Sequence, residues 1–200
     1  MSGPPADALV VVVAGPNGAG KSTVAPRLLR DTLHVDEFVN ADVIAAGLSA
    51  FRPDGAAVAA GRIMLARMNE LAGMRRSFAF ETTLASRSFA PWLGRLATVG
   101  YRTHLLFLWL ESADLAVSRV AERVRLGGHG VPEATIRRRY ESGLRNFSSL
   151  YLPIVDSWQV LDNSAAPAPD LIAAGSRDTE PDVHDPRIWR RIVEAHRAEA

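Results

Sequence analysis

The sequence predicts an α/β fold in which a parallel sheet of five strands is covered by helices on both faces. Three observations carry this. Leu9–Ala14 is an unbroken apolar run, mostly valine, the pattern of a strand buried on both sides. It ends in Gly-Pro-Asn-Gly and passes straight into helical spacing. Further strand-like runs then alternate with helical segments, and strands separated by helices join through right-handed crossovers into a parallel sheet.

Each element follows in order. Residues 21–30 read as the first helix and 34–40 as a second, shorter strand. Residues 54–73 carry Ala, Leu, Met and Arg at helical spacing, and 76–82, "RSFAFET", alternate toward a third strand. A helix over 89–99 precedes "YRTHLLFLWL" at 101–110, the second strongly apolar strand. Helices over 112–126 and 133–147 are separated by "GGHGVP", and 157–161 supply the fifth strand. Beyond it, 171–174 read as a short edge strand and 186–198 as an amphipathic helix. The Pro-, Ala- and Asp-rich segments 165–170 and 176–185 read as surface loop. The expectation is one domain over 1–200, with a lid at about 123–139 and a C-terminal extension over 165–200.

Composition excludes several function classes. Two hundred residues at 48% apolar and 22% charged content suffice for a real core. A formal charge of +1 gives no whole-chain field toward nucleic acid or an anionic membrane. The absence of cysteine excludes disulfides, thiolate metal sites and cysteine nucleophiles, and fits a reducing cytosol. Leu9–Ala14 is too short to span a bilayer, and the residues before it carry an aspartate and no basic segment. A cytoplasmic protein without membrane contact is expected.

Lys21 is the only lysine among 23 basic residues. It lies in Gly15-Pro16-Asn17-Gly18-Ala19-Gly20-Lys21-Ser22-Thr23, which matches the phosphate-binding loop G-x-x-x-x-G-K-[ST] between a buried strand and a helix. Glycines let backbone N–H groups turn inward around phosphate oxygens, and the helix N-terminus adds partial positive charge. A compact ammonium reaches β and γ phosphates where a planar guanidinium fits poorly, and Ser22 offers a hydroxyl to Mg²⁺. The fold expectation thus becomes a P-loop NTPase.

Other residues narrow the class. A guanine-reading N-K-x-D loop needs a second lysine, which the chain lacks. The run "LLFLWLES" ends in Glu111 alone, without the Asp-Glu of water-activating ATPases. Polar residues do stand at the C-terminal ends of the second and third strands: Asn40 and Asp42, then Glu81, Thr82 and Thr83. In a parallel sheet those ends line the crevice beside the loop after the first strand, where a co-substrate can face the γ-phosphate. Asp42 is placed to accept a proton from an attacking hydroxyl. Its plainer reading is the N-cap of the helix it begins, and that of Glu81 a solvated strand end. Arg119 and Arg123 before the glycines of "GGHGVP", and Arg137, Arg138 and Arg139 after them, form the pattern of a lid that brings positive charge to a transferring phosphoryl group, with solvated helix faces as the plainer reading. His129 at the tip reads as a lid contact, with no other ligand at metal-binding spacing.

Taken together, "GPNGAGKST", "VNAD", "FETTL", "RVxxRVxxGGHxVPxxxIxRRY" and "DNS" resemble the zeta-toxin-like P-loop kinases, in particular their small chromosomal branch, over about residues 10–164. The resemblance implies a nucleotide-kinase-like sheet and an ATP- and Mg²⁺-dependent kinase. For the zeta toxins proper it implies phosphorylation of a UDP-activated amino sugar, UDP-N-acetylglucosamine, blocked by an antitoxin partner. Carried over by position, Lys21 and Ser22 hold ATP and Mg²⁺, Asp42 is the hydroxyl base and Glu81 contacts the acceptor. Arg123 and Arg139 match phosphate-contacting positions, Arg119 flanks adenine, and Asn163 approaches the base. The chain departs from the toxins after the third-strand glutamate. There they carry a Gly-Thr segment with a basic residue, and this chain has Thr82-Thr83-Leu84-Ala85, its nearest arginine being Arg87.

The resulting expectation is a kinase passing the γ-phosphoryl of ATP to a hydroxyl of a small substrate. Two alternatives stay open. A polynucleotide kinase would need a basic track and stacking aromatics, which the sequence does not cluster. An ATP-binding regulatory protein would close its lid to present a surface to a partner, with no acceptor.

Overall fold

A computed structural model describes residues 8–48, 53–165 and 168–194, with Pro53 and Asp54 as backbone only. The strands are β1 (Leu9–Ala14), β2 (Glu37–Val39), β3 (Phe78–Thr82), β4 (Arg102–Trp109), β5 (Ser157–Asp162), β6 (Asp170–Ser176) and β7 (Asp182–Val183). The α-helices are α1 (Lys21–Arg27), α2 (Ala41–Leu48), α3 (Ala57–Gly73), α4 (Phe89–Thr98), α5 (Ala113–Arg125), α6 (Glu133–Asn146) and α7 (Pro186–Glu194). One sheet runs in the order β2-β3-β1-β4-β5-β6-β7.

The five expected strands pair in parallel, with β1 central between β3 and β4. The sheet is larger and mixed, however, because β6 and β7 add antiparallel. The expected edge strand at 171–174 extends to Asp170–Ser176, and part of the segment expected as loop, 176–185, forms β7. A short connection can return a strand only antiparallel, and the link from Asp162 to Asp170 is too short for a crossover, which dictates this reversal. The expected terminal helix is described to Glu194, and 195–198 lie outside the described residues.

The valines of β1 show why its sequence does not alternate in polarity. Val10, Val12 and Ala14 enter the core beneath α3, α4 and α6, and Val11 and Val13 enter the one beneath α1. All five are fully buried. β4 divides likewise, with Leu105, Phe107 and Trp109 on the first face and Leu108 against Ala116 and Val120 of α5. The second strand is shorter than 34–40. His34 takes φ 52°, outside extended backbone, and Asn40 leaves the strand to cap α2. α1 ends at Arg27, and Leu28–Thr32 form a π-helical turn in place of the last expected α-turn. Pro26 lies just before it and lacks the N–H that an α-helical ladder would use.

Trp158 on β5 stacks on Trp189 of α7, ring centroids 5.0 Å apart and 6° from parallel. This stack, with buried Ile192, closes the outer part of the sheet. Among the described residues no helix is long and apolar enough to cross a membrane.

His104 on β4 sits 2.9 Å from the Ser157 hydroxyl. Burial, and secondarily the Arg102 guanidinium, holds its imidazole below the ordinary value of 6.5. The unfolded chain therefore takes up this proton first as pH falls. The contribution to stability is complete above the ordinary value and is lost as pH falls through the folded one. Denaturation midpoints are expected to drop as pH falls through and below the ordinary imidazole value, and the drop to shrink in His104→Gln.

Candidate active site

The loop after β1 takes backbone angles that side chains resist. Gly15, Gly18 and Gly20 have φ of 141°, 78° and 78°. A Cβ on Gly20 would stand 2.7 Å from Asn163 Nδ2, and one on Gly18 2.9 Å from the Ala116 carbonyl oxygen. The neighbouring elements thus enclose a backbone nest with no side chains in it, the shape that phosphate oxygens fill.

Lys21 opens α1 and is 6% exposed. Its Nζ donates to the Gly15 and Pro16 carbonyls, both at 2.9 Å, and lies 3.6 Å from Glu81 Oε1. Desolvation lowers its pKa from the ordinary lysine value, and the Glu81 and Asp42 carboxylates oppose that shift. Ser22 Oγ donates to Glu81 Oε2 at 2.8 Å, and Asn40 Nδ2 donates to the same oxygen at 2.6 Å. Glu81, at the end of β3, therefore ties the phosphate-loop lysine and serine to the end of β2. Its carboxylate is engaged by Lys21, Ser22 and Asn40.

Asn40 is also the cap of α2, its Oδ1 accepting from the N–H of Asp42 at 2.8 Å and of Val43 at 3.3 Å. The capping role read for Asp42 thus belongs to Asn40. Asp42 is left with an exposed carboxylate beside the loop.

The lid arginines separate. α5 ends with Gly127 at φ 85°, its N–H donating to Val124 and that of Gly128 to Arg123, a Schellman ending. This fold-back lets Arg123 Nε donate to the His129 carbonyl at 3.1 Å, and Arg123 Nη2 is buried without a hydrogen-bond partner. Arg119 sends Nη1 and Nη2 to the carbonyls of Asn163 and Ser164 at 2.7 and 2.9 Å. Asn163 in turn donates Nδ2 to Ala19 at 2.8 Å. Arg119 and Asn163 thus brace the phosphate loop, α5 and the end of β5 against one another. Arg139, on α6, lines a different cleft from Arg119 and Arg123, among Thr82, Thr83 and Asn17, and meets His129 at a recess beside Asp42. Glu111 is exposed and contributes its backbone, with N–H to Ser164 Oγ and carbonyl to Arg191.

Two clefts result. One, of about 390 Å³, is bounded by Gly18–Thr23, Arg119, Arg123 and His129. The other, of about 260 Å³, is bounded by Asn17, Thr82, Thr83, Ser86 and Arg139. They share Lys21, Asn40, Asp42 and Glu81. Sequence reasoning missed what builds the wall of the second cleft. Asn146 Nδ2 donates to Leu84 O at 2.7 Å, Tyr151 OH donates to Ser86 O at 2.7 Å, and a Cβ on Gly143 would stand 2.5 Å from Thr83 O. These partners lie some sixty residues away with no motif to mark them. Among the described residues no cluster of three His, Asp or Glu could cage a metal. Mg²⁺ needs none, since it takes one or two protein oxygens beside phosphate and water, and Ser22 Oγ with Glu81 fits that set.

Residues 10–143 match the family described as an AAA domain. An uncharacterized protein of Haemophilus influenzae is 25% identical over 130 residues, 65% of this chain and 91% of that one. Among solved structures, the AvrRxo1-ORF1:ORF2 complex with ATP is similar over 96% of this chain at TM-score 0.71 and 14% identity. The chain spans 65% of that protein's length. The structure of the PezAT chromosomal toxin-antitoxin system of Streptococcus pneumoniae covers all of this chain and 82% of its own at TM-score 0.63 and 12% identity. A gluconokinase from Sinorhizobium meliloti covers 80% of this chain and 85% of its own at 0.51 and 16%. The phosphate loop, four of the five parallel strands and the helices α5 and α6 lie within the matched segment or at its edge, and the chain belongs to the AAA domain family, with a P-loop kinase-like fold.

Proposed function

We propose that this protein is a phosphotransferase that moves the γ-phosphoryl of ATP to a hydroxyl of a small substrate. The observation that supports it is the junction of the two clefts at Lys21, Asn40, Asp42 and Glu81. ATP would lie in the first, its phosphates in the nest of Gly15–Thr23, and the acceptor in the second. Mg²⁺, when bound with the nucleotide, supplies charge neutralisation, and Ser22 and Glu81 are the residues to hold it.

In this reading the chain acts mainly by position and charge. Lys21 meets the phosphate charge, and Arg123 lines the same cleft. Asp42, exposed where the clefts meet, takes the proton of the attacking hydroxyl. Asn40 and Thr82–Thr83 orient the acceptor. Residues 1–200 act as one unit, and closure of 123–139 keeps water from the γ-phosphate.

The resemblance to zeta-toxin-like kinases makes UDP-N-acetylglucosamine the first acceptor to test. The similarity to toxin complexes extends the proposal to an antitoxin-like protein partner. ATP turnover is expected to rise with that nucleotide sugar and to fall about a hundredfold or more in Asp42→Asn. ATP affinity should stay within about twofold of the unmodified chain, because Asp42 lies beyond the phosphates. Equal turnover in the two proteins would remove Asp42 from the mechanism.

A further inference from the structure

We infer that Arg139 reads a negative charge on the acceptor, and that the acceptor cleft takes a compact hydroxylated anion and excludes an aromatic base. The inference rests on the two-cleft reading and deepens it by naming the chemistry of the second cleft.

The first observation is where Arg139 stands. Arg123 lines the nucleotide cleft, and Arg139 lines the acceptor cleft and, with Asp42 and His129, the recess beside it. Arg137, two residues before, is paired with Asp114 and Glu133. Arg139 has no ion pair or hydrogen bond among the described residues, and it is half-buried. A half-buried guanidinium offers five donors, and its fork suits carboxylate or phosphate. A recess of about 170 Å³ continues from the cleft toward α2 and shares Asp42 and Arg139.

The second observation is the lining. Asn17 is 9% exposed and borders the acceptor cleft, with Oδ1 buried and lacking a hydrogen-bond partner. An amide left so carries a cost that a ligand hydroxyl or N–H relieves as the side chain turns toward it. Thr82, Thr83 and Ser86 add hydroxyls. Among the described residues no aromatic ring lines the cleft itself, the one ring at its recess is the His129 imidazole, and the apolar lining is alanine alone. A base held in the cleft would have no ring to stack on.

The third is rigidity. Asn146 and Tyr151 hold the carbonyls of Leu84, Ala85 and Ser86, Leu84 has φ 56°, and Gly143 lets α6 close on Thr83. A wall tied at several points does not widen to admit a larger ring system. At about 260 Å³ the cleft suits a sugar-sized unit. For a nucleotide sugar this means that the sugar and its phosphates enter and the base stays outside.

The test uses the full chain, Arg139→Gln and Arg139→Lys, with glucose, glucose 6-phosphate, gluconate and uridine as probes. Binding is read by calorimetry with a non-hydrolysable ATP analogue present, and ATP turnover is read separately. The two anionic probes are expected to bind at least tenfold more tightly than glucose or uridine. Arg139→Gln should erase that preference and Arg139→Lys restore part of it, with affinity for the ATP analogue unchanged. Uridine binding as tightly as glucose 6-phosphate would overturn the inference. So would loss of ATP-analogue affinity in Arg139→Gln, which would move the arginine to the nucleotide. Because binding is read apart from turnover, failure of the kinase reading is distinguishable: the anion preference would persist without any phosphoryl transfer.

Discussion

Lys21→Arg is expected to lower ATP turnover by about a thousandfold or more, although the charge is retained. The ammonium is 6% exposed and sits within 2.9 Å of two loop carbonyls and 3.6 Å of Glu81. A guanidinium is wider, planar and fixed in a fork, so it cannot place one donor on each of those oxygens and still reach into the nest. Burial already disfavours the charge at this position, and only the carboxylates of Glu81 and Asp42 oppose that. A bulkier cation would leave donors unpaired in the same desolvated space. Steady-state turnover, with equilibrium binding of an ATP analogue measured beside it, reads the effect. Turnover within about tenfold of the unmodified protein would mean that the lysine's shape is not what the site requires.

Gly15→Ala should cost about 3 kcal/mol or more of folding stability. Gly15 has φ 141°, where side chains strain the backbone, and its added Cβ would land on the carbonyl oxygen of Leu108. Leu108 lies in β4, which is paired with β1 on one side and β5 on the other, so that carbonyl cannot move aside. Gly61→Ala is the control. Gly61 lies inside α3 with nothing within 4 Å of its Cβ position, and the change should stabilise by about 0.5–1 kcal/mol. Denaturant midpoints report both changes, and equal midpoints would refute the close approach of β1 to β4 at this point.

The phosphate loop was legible because its chemistry is local. Glycine spacing, one lysine and one serine fall within eight residues, and the preceding run of valines announces the strand that presents them. The acceptor side was legible only as residue types at strand ends. Glu81 read there as a contact to the acceptor, and its bonds to Ser22 and Asn40 come from residues 59 and 41 positions away. The capping reading of Asp42 passes to Asn40 for a short-range reason: the Asn40 carboxamide reaches the N–H groups of residues 42 and 43, which leaves Asp42 lining the clefts. β7 escaped notice because two residues carry no periodicity of their own and form a strand only where β6 offers an edge.

The sequence by itself determined the crossover-linked parallel strands, the phosphate nest and the lone ammonium in it, because periodicity and glycine spacing act between near neighbours. Only the tertiary structure decided which arginine serves which cleft. Arg119, Arg123 and Arg139 have the same chemistry. What separates them is that α5 packs its arginines toward the phosphate loop and the end of β5, and α6 turns Arg139 toward the end of β3. That division depends on how two helices cross a sheet, and no spacing along one chain encodes it.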